Sequence, residues 1–330
     1  MRRSFSFFAT LLLPLALSTP AGAGFGFHCD AATGVAVLNV QPSAAQDQYL
    51  AAKAYNGACK TVDRKQAEAW YQKAAAQGHK DAQYELAEMY FTGLGIPLNY
   101  PEAKKWYLKA AEQGHAASQL RLGFLFAEKH FEGLTADLVE AEKWFTKAAE
   151  QDVKDSRFRL GNFYISYTQP PDLVNGRLWL QRAADSGHHT AMYDLGRLLV
   201  KQKETAKGIE WITKAAEEND LQAQMTLAEI YEAGREVPFN PDEFVKWVLR
   251  IAGHPAAPIF YLNKAGDILF DGLGETPRNY PAARKYYERA ASKGDTTALR
   301  QLAVIYKRGL GVAKDLDKAK KLLDRAEGIK

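Results

Sequence analysis

Cysteine is scarce in this chain: Cys29 and Cys59 are the only two among 330 residues, too few for a structural zinc site by themselves. Net charge is scarce as well. The 43 Lys and Arg residues nearly balance the 39 Asp and Glu, which argues against nucleic acid as a partner. Both signs are mixed along the chain, as on solvated helix faces. Past the N-terminal stretch, no segment is long and apolar enough to span a bilayer. Signatures of catalysis are missing too. None of the nine serines begins S-x-x-K, and no G-x-S-x-G, H-E-x-x-H or P-loop sequence occurs. Carboxylate pairs abound, but none sits in an identifiable apolar pocket, so no acid–base pair is assigned. The reading is a non-enzyme with no catalytic residue, no cofactor and no metal ligand. A composition of 47% hydrophobic and 25% charged residues suggests neither disorder nor a membrane-embedded body.

The N-terminus reads as a targeting segment. Arg2 and Arg3 precede an apolar run from Phe7 to Leu17, and small residues end in Ala21-Gly22-Ala23. That order is a secretory signal peptide, cleaved after Ala23, so residues 1–23 are set apart from the fold. Ordinary secretion and a twin-arginine route both fit. Export implies a periplasmic or secreted protein without a transmembrane segment after cleavage. In that oxidising setting a Cys29–Cys59 bridge is the leading reading over free thiols, pinning the non-repetitive segment 24–43 onto the first repeat.

What the chain does contain is one helix written many times. "KKWYLKAAEQGH" at 104–115 returns as "AWYQKAAAQGH", "EKWFTKAAEQD", "RLWLQRAADSGH" and "IEWITKAAEEND". All six tryptophans (Trp70, Trp106, Trp144, Trp179, Trp211, Trp247) hold its aromatic position, followed by Tyr286 and Leu322. The intervals run from 32 to 39 residues, the period of a helical repeat array. A first helix precedes each copy, with Leu86, Met89 and Tyr90 as its buried stripe. "GLG" turns at 93–95, 272–274 and 309–311 separate the two helices. One hairpin cannot bury its aromatic and its alanine pair alone, whereas a stack covers each with the next. Eight hairpins are counted over 44–330, the last charged like an end cap.

These residues carry a family resemblance. Ala82, Leu86, Tyr90, Gly93, Gly95, Ala103, Trp106, Tyr107, Lys109, Ala110, Ala111 and Gly114 resemble the Sel-1-like repeat, a relative of the tetratricopeptide repeat. The resemblance implies an all-α fold, a right-handed α–α superhelical solenoid of about eight hairpins. It also implies an adaptor or scaffold of the cell envelope with a protein or peptide partner, read here as a monomer. Cysteine-rich relatives associated with penicillin binding imply an alternative, a cell-wall-related enzyme or a peptidoglycan-binding protein. This chain has one cysteine pair where those relatives bridge within each repeat.

The side of each first helix left over from the core is expected to line the concave surface. The residues there are Tyr84, Phe91, Leu120, Phe124, Phe158, Tyr193, Arg197 and Met225, with Asn263, Asp267 and Arg300 in later units. Two readings stand: an aromatic contact track for a partner, or an inner core closed by tight curvature. His79, His115, His188 and His254 recur after a glycine and are read as turn residues. "SYTQPPDL" (166–173) and Val237–Pro258 are read as longer loops or changes of stacking angle in preference to binding loops.

Overall fold

In the computed structural model the described residues are 27–38, 42–58, 61–128, 130–151 and 155–329. The signal segment 1–23 and Cys59 lie outside them. Two compact units divide between Pro171 and Asp172.

The first unit opens with a β-hairpin, β1 (Phe27–Cys29) and β2 (Ala36–Leu38), paired antiparallel with His28 opposite Val37. Asp30 shapes its turn by accepting from the amides of Ala32 and Thr33. Thr61 fastens the hairpin to the array, its amide donating to Gly34 O at 3.0 Å and its hydroxyl to Thr33 O at 2.8 Å. The sequence marks this stretch only as non-repetitive, because three-residue strands are too short to show an alternating pattern.

Seven helices come next in this unit: α1 (Ala45–Lys53), α2 (Arg64–Ala76), α3 (Lys80–Thr92), α4 (Tyr100–Glu112), α5 (Ala116–Ala127), α6 (Leu138–Glu150) and α7 (Ser156–Ser166). A single π-helical turn, Ala54–Ala58, extends α1. The second unit holds α8 (Leu173–Asp185), α9 (His189–Lys201), α10 (Thr205–Glu217), α11 (Leu221–Ala233), α12 (Pro241–Gly253), α13 (Ile259–Asp271), α14 (Tyr280–Ser292), α15 (Thr296–Arg308) and α16 (Leu316–Ala326).

Capping chemistry fixes where these helices begin. Asp63, Asn99, Asp137, Asn240, Asn279 and Asp315 accept from backbone amides of the first turn in the even-numbered helices. Of the odd-numbered helices, α11 and α15 use Asp220 and Asp295, and α3, α5 and α9 use the post-glycine histidines. His79, His115 and His188 accept through Nδ1 from the amides of Ala82, Ser118 and Ala191 at 3.1–3.3 Å. Three of the four post-glycine histidines are therefore N-caps, while His254 is the C-cap of α12. At the other end, Gly93 stops α3 with φ of 71°, a left-handed conformation that a side chain disfavours.

The core inverts one expectation about the repeated aromatic. Trp70, Trp144 and Trp247 are buried, but Trp106, Trp179 and Trp211 are half-buried. Deepest is the next residue: Tyr71, Tyr107, Leu180, Ile212, Val248 and Tyr287 are at most 1% exposed. Trp106, Trp179 and Trp211 lie at the margin, and five of the six indoles, all but the fully buried Trp247, have the cation three residues on close over the ring. Lys73, Lys109, Lys147, Arg182 and Lys214 stand 4.0–4.6 Å from the ring centroids. The basic residue that suits the helix dipole thus also covers the tryptophan.

The paired alanines and several first-helix glycines let backbones approach. A Cβ at Gly123 would fall 2.6 Å from Phe145 Cε1, and one at Gly266 would fall 2.7 Å from Tyr287 Cδ1. Buried glutamines add a polar seam. Gln48, Gln83 and Gln119 accept from Gln77, Gln113 and Gln151 at 2.7–2.9 Å. Gln83 and Gln119 in turn donate to Ala75 O and Ala111 O of the hairpin before.

The proline-rich stretches resolve differently from each other. "SYTQPPDL" carries a cis Gln169–Pro170 bond in the connection after α7. Val237–Pro258 is mostly helix: Pro241 opens α12 and Pro258 is the N-cap of α13. There Ile251 and Ala252 take the place of the alanine pair and are fully buried.

Candidate partner-binding surface

In the first unit, α3, α5 and α7 present a face of aromatic rings and paired charges. Glu88 on α3 is its hub. Arg121 on α5 grips that carboxylate with Nε and Nη2, at 2.7 and 2.9 Å, and the Tyr107 hydroxyl donates to the same group. The side chains of Arg121 and Glu88 keep 31% and 20% of their exposure, so the pair sits at the edge of solvent. Burial opposes charge on the guanidinium, yet Glu88 and Tyr107 hold its proton more tightly than usual. Burial, with Glu88 adding, also pushes the Tyr84 hydroxyl up to about 12.

Around this hub the predicted residues fall in different places. Tyr84 packs 5.9 Å from Tyr107 and 4.8 Å from His115. Phe91 meets Tyr100 and Phe131 edge-on at 5.6 Å, with the Arg121 guanidinium 5.5 Å from its ring. Phe124 stands on Phe145 at 5.1 Å and carries Arg159 5.4 Å away. All three rings are half-buried, as is Leu120. Phe158 is 7% exposed and belongs to the packing. The half-buried group shares one surface, while Phe158 sits below it.

In the second unit Tyr193 is 8% exposed, its hydroxyl 3.1 Å from Thr226 Oγ1. Arg197 lies exposed 5.5 Å from that ring, and Met225 is half-buried. Arg197 borders an open cleft of about 350 Å³ with the ends of α9 and α11 as its walls. Further along, Asn263 donates to Asp295 at 3.0 Å and Asp267 accepts from Tyr287 at 2.7 Å, so both polar positions serve the scaffold.

Sequence reasoning missed Tyr107, Arg121 and Phe131. It tracked the register of Tyr84 and Phe91 along each first helix, and Arg121 is one residue off that register. Tyr107 comes from a second helix and Phe131 from a loop. The usable signal was Glu88, set on the face between Tyr84 and Phe91 where it could pair with a cation of the next first helix. Among the described residues no group of three or more His, Cys, Asp or Glu side chains is arranged to hold a metal ion. No helix there is long and apolar enough to cross a membrane.

Comparison with known proteins agrees with this architecture. The Sel1 repeat model matches residues 45–79, 80–115, 116–153, 154–188, 189–220, 261–295 and 296–327. It skips 221–260, where α11 and α12 nevertheless form a hairpin with Trp247 buried. A Sel1 repeat protein from Oxalobacter formigenes is similar in structure, with a TM-score of 0.57 and 25% identity over 86% of this chain and 82% of that one. An uncharacterised protein of Neisseria meningitidis serogroup B is 31% identical over 161 residues, 48% of this chain. The match spans only 33% of that relative's length. The Sel1 and tetratricopeptide-like fold generally mediates protein–protein interaction, as a non-enzymatic scaffold. With seven matched repeats, capped and packed as described, the chain belongs to the Sel1 repeat family.

Proposed function

We propose that this protein is an exported adaptor of the cell envelope, periplasmic or secreted, that holds a partner protein or peptide on the first-helix face. The carrying observation is the half-buried trio Tyr84, Phe91 and Phe124 beside the Glu88–Arg121 pair. The core is already closed beneath them by Leu86, Leu122, Leu125 and the alanine pairs. Rings left at the surface around a rigid charge pair make an anchor site, since aromatics and arginine dominate binding energy at interfaces. Mixed polarity with satisfied hydrogen bonds suits a protein segment better than a lipid or a nucleic acid.

Export is supported by the charged, apolar and small-residue order of 1–23. It is supported as well by the place of Cys29, whose sulfur lies 3.9 Å from Ala58 O, one residue before Cys59. Phe91→Ala and Phe124→Ala test the surface. Each should weaken retention of the partner about tenfold, the loss of one anchoring ring, while the melting temperature falls by only a few degrees. Unfolding of both variants at growth temperature would assign the rings to the core and end the reading.

A further inference from the structure

The array contains an occluded and an open version of the same place. Counted from the N-cap of each helix, Val200 stands where Phe91 does, Ile212 where Tyr107 does, and Thr226 where Arg121 does. In the first unit those two rings and the guanidinium fill the space between neighbouring first helices, with Phe131 edge-on beside the half-buried Phe91. In the second unit they are replaced by two aliphatic side chains and a hydroxyl, and the cleft of about 350 Å³ is what remains. A cavity of about 150 Å³ accommodates benzene, so the cleft has room for a ring and the groups beside it.

Its chemistry is divided. Ile212 and Ile230 are buried, and with half-buried Val200 they form an apolar floor. Arg197, Lys201 and Arg235 are exposed along the rim together with one acid, Glu236, so the cations predominate there. Glu229 and Thr226 supply an acceptor and a hydroxyl on the α11 wall. We infer that this cleft takes an aromatic side chain of the partner together with an adjacent carboxylate, a Phe or Tyr next to an Asp or Glu. The ring restores the aromatic packing that the first unit builds from its own residues. The carboxylate answers the rim cations, which outnumber Glu236, while a backbone amide of the segment donates to Glu229. The inference rests on the adaptor reading and deepens it, since it names what the partner presents.

Isoleucine methyl resonances of the protein read the binding directly. The blocked dipeptide Phe-Glu should shift the Ile212 and Ile230 methyls and leave Ile96 and Ile305 unmoved, with a Kd on the order of 1 mM for a single anchor. Blocked Ala-Glu and Phe-Gln should each bind about tenfold more weakly. Val200→Phe, which installs the first unit's own residue, should abolish the shifts with an unchanged melting temperature. Arg197→Glu should do so through charge alone. Methyls unmoved by Phe-Glu, or moved equally by Ala-Glu, overturn the cleft. If Phe91 and Phe124 variants still lose the partner in that case, the adaptor reading survives, so the two failures are distinguishable.

Discussion

Glu88→Gln keeps the shape of the hub and removes its charge. The carboxylate accepts three hydrogen bonds, two from Arg121 and one from Tyr107. A hydrogen bond to a charged group contributes about 1.5–3 kcal/mol when fully withdrawn from water. Here the side chains are 20% and 31% exposed, so solvent screening reduces that, and a total loss of about 1–3 kcal/mol is expected. For a unit of this size the loss corresponds to a fall in melting temperature of roughly 2–4 °C per kcal/mol. Arg121→Met alone should cost less, because Tyr107 still donates to Glu88. The double variant should lose less than the sum of the singles, with a coupling of about 1–2 kcal/mol in a double-mutant cycle. Urea unfolding monitored by circular dichroism gives all four stabilities. Additivity within about 0.5 kcal/mol would mean that the pair is a surface ornament, and the preorganised hub would be refuted.

The same structure sets three further outcomes. Gly266→Ala gains about 1 kcal/mol of helix propensity but drives a methyl into the Tyr287 ring, so it should destabilise by about 1–2 kcal/mol net. In a Tyr287→Leu background the same change should become neutral or stabilising, and stabilisation in the native background would contradict the packing. Burial, opposed by Asp81 and aided by Lys80, lowers the proton affinity of His115, so folding favours its neutral form. Stability should therefore fall as pH drops below the unfolded value of about 6.5, and His115→Asn should flatten that dependence, since protonated Nδ1 cannot cap Ser118. Parallel pH–melting curves would exclude the cap as a titrating contributor. Finally, the mass of the protein recovered from its host should lack residues 1–23 and rise by two hydrogens on reduction. A full-length chain or an unchanged mass would remove the export reading.

The repeat made most of the fold legible. A period marked by Trp70 to Trp247, with an alanine pair after all but the last of these and a glycine after several, forces paired helices whatever their surroundings. Even 221–260, which departs from the family pattern, kept enough of it to be counted as a hairpin. What the period could not convey was depth. The marker tryptophan and the residue after it are about 100° apart on the helix, and only packing against the neighbouring hairpin decides which one is sealed. Tyr107 and Ile212 won that position, and Trp106 and Trp211 went to the margin under Lys109 and Lys214, whereas Trp247 was sealed along with Val248. The binding face was half legible for a related reason. One helix register finds Tyr84 and Phe91, but the hub joins three elements, and charge pairing between Glu88 and Arg121 depends on the stagger of α3 against α5. The histidines were read as turn residues, and three of them are caps: these caps use an acceptor on Cγ, three bonds from Cα, which imidazole Nδ1 supplies as aspartate Oδ1 does at Asp220 and Asp295.

The central claim is that partners meet the first-helix face. Site-specific photo-crosslinking in the living cell tests it most directly, with a benzophenone side chain placed in turn at Phe91, Phe124, Val139 and Val174. The last two are 78% and 80% exposed on even-numbered helices, α6 and α8, and serve as accessible controls. The account predicts one discrete adduct from positions 91 and 124 and none from 139 and 174. The same adduct at all four positions, or adducts at the controls alone, would contradict it.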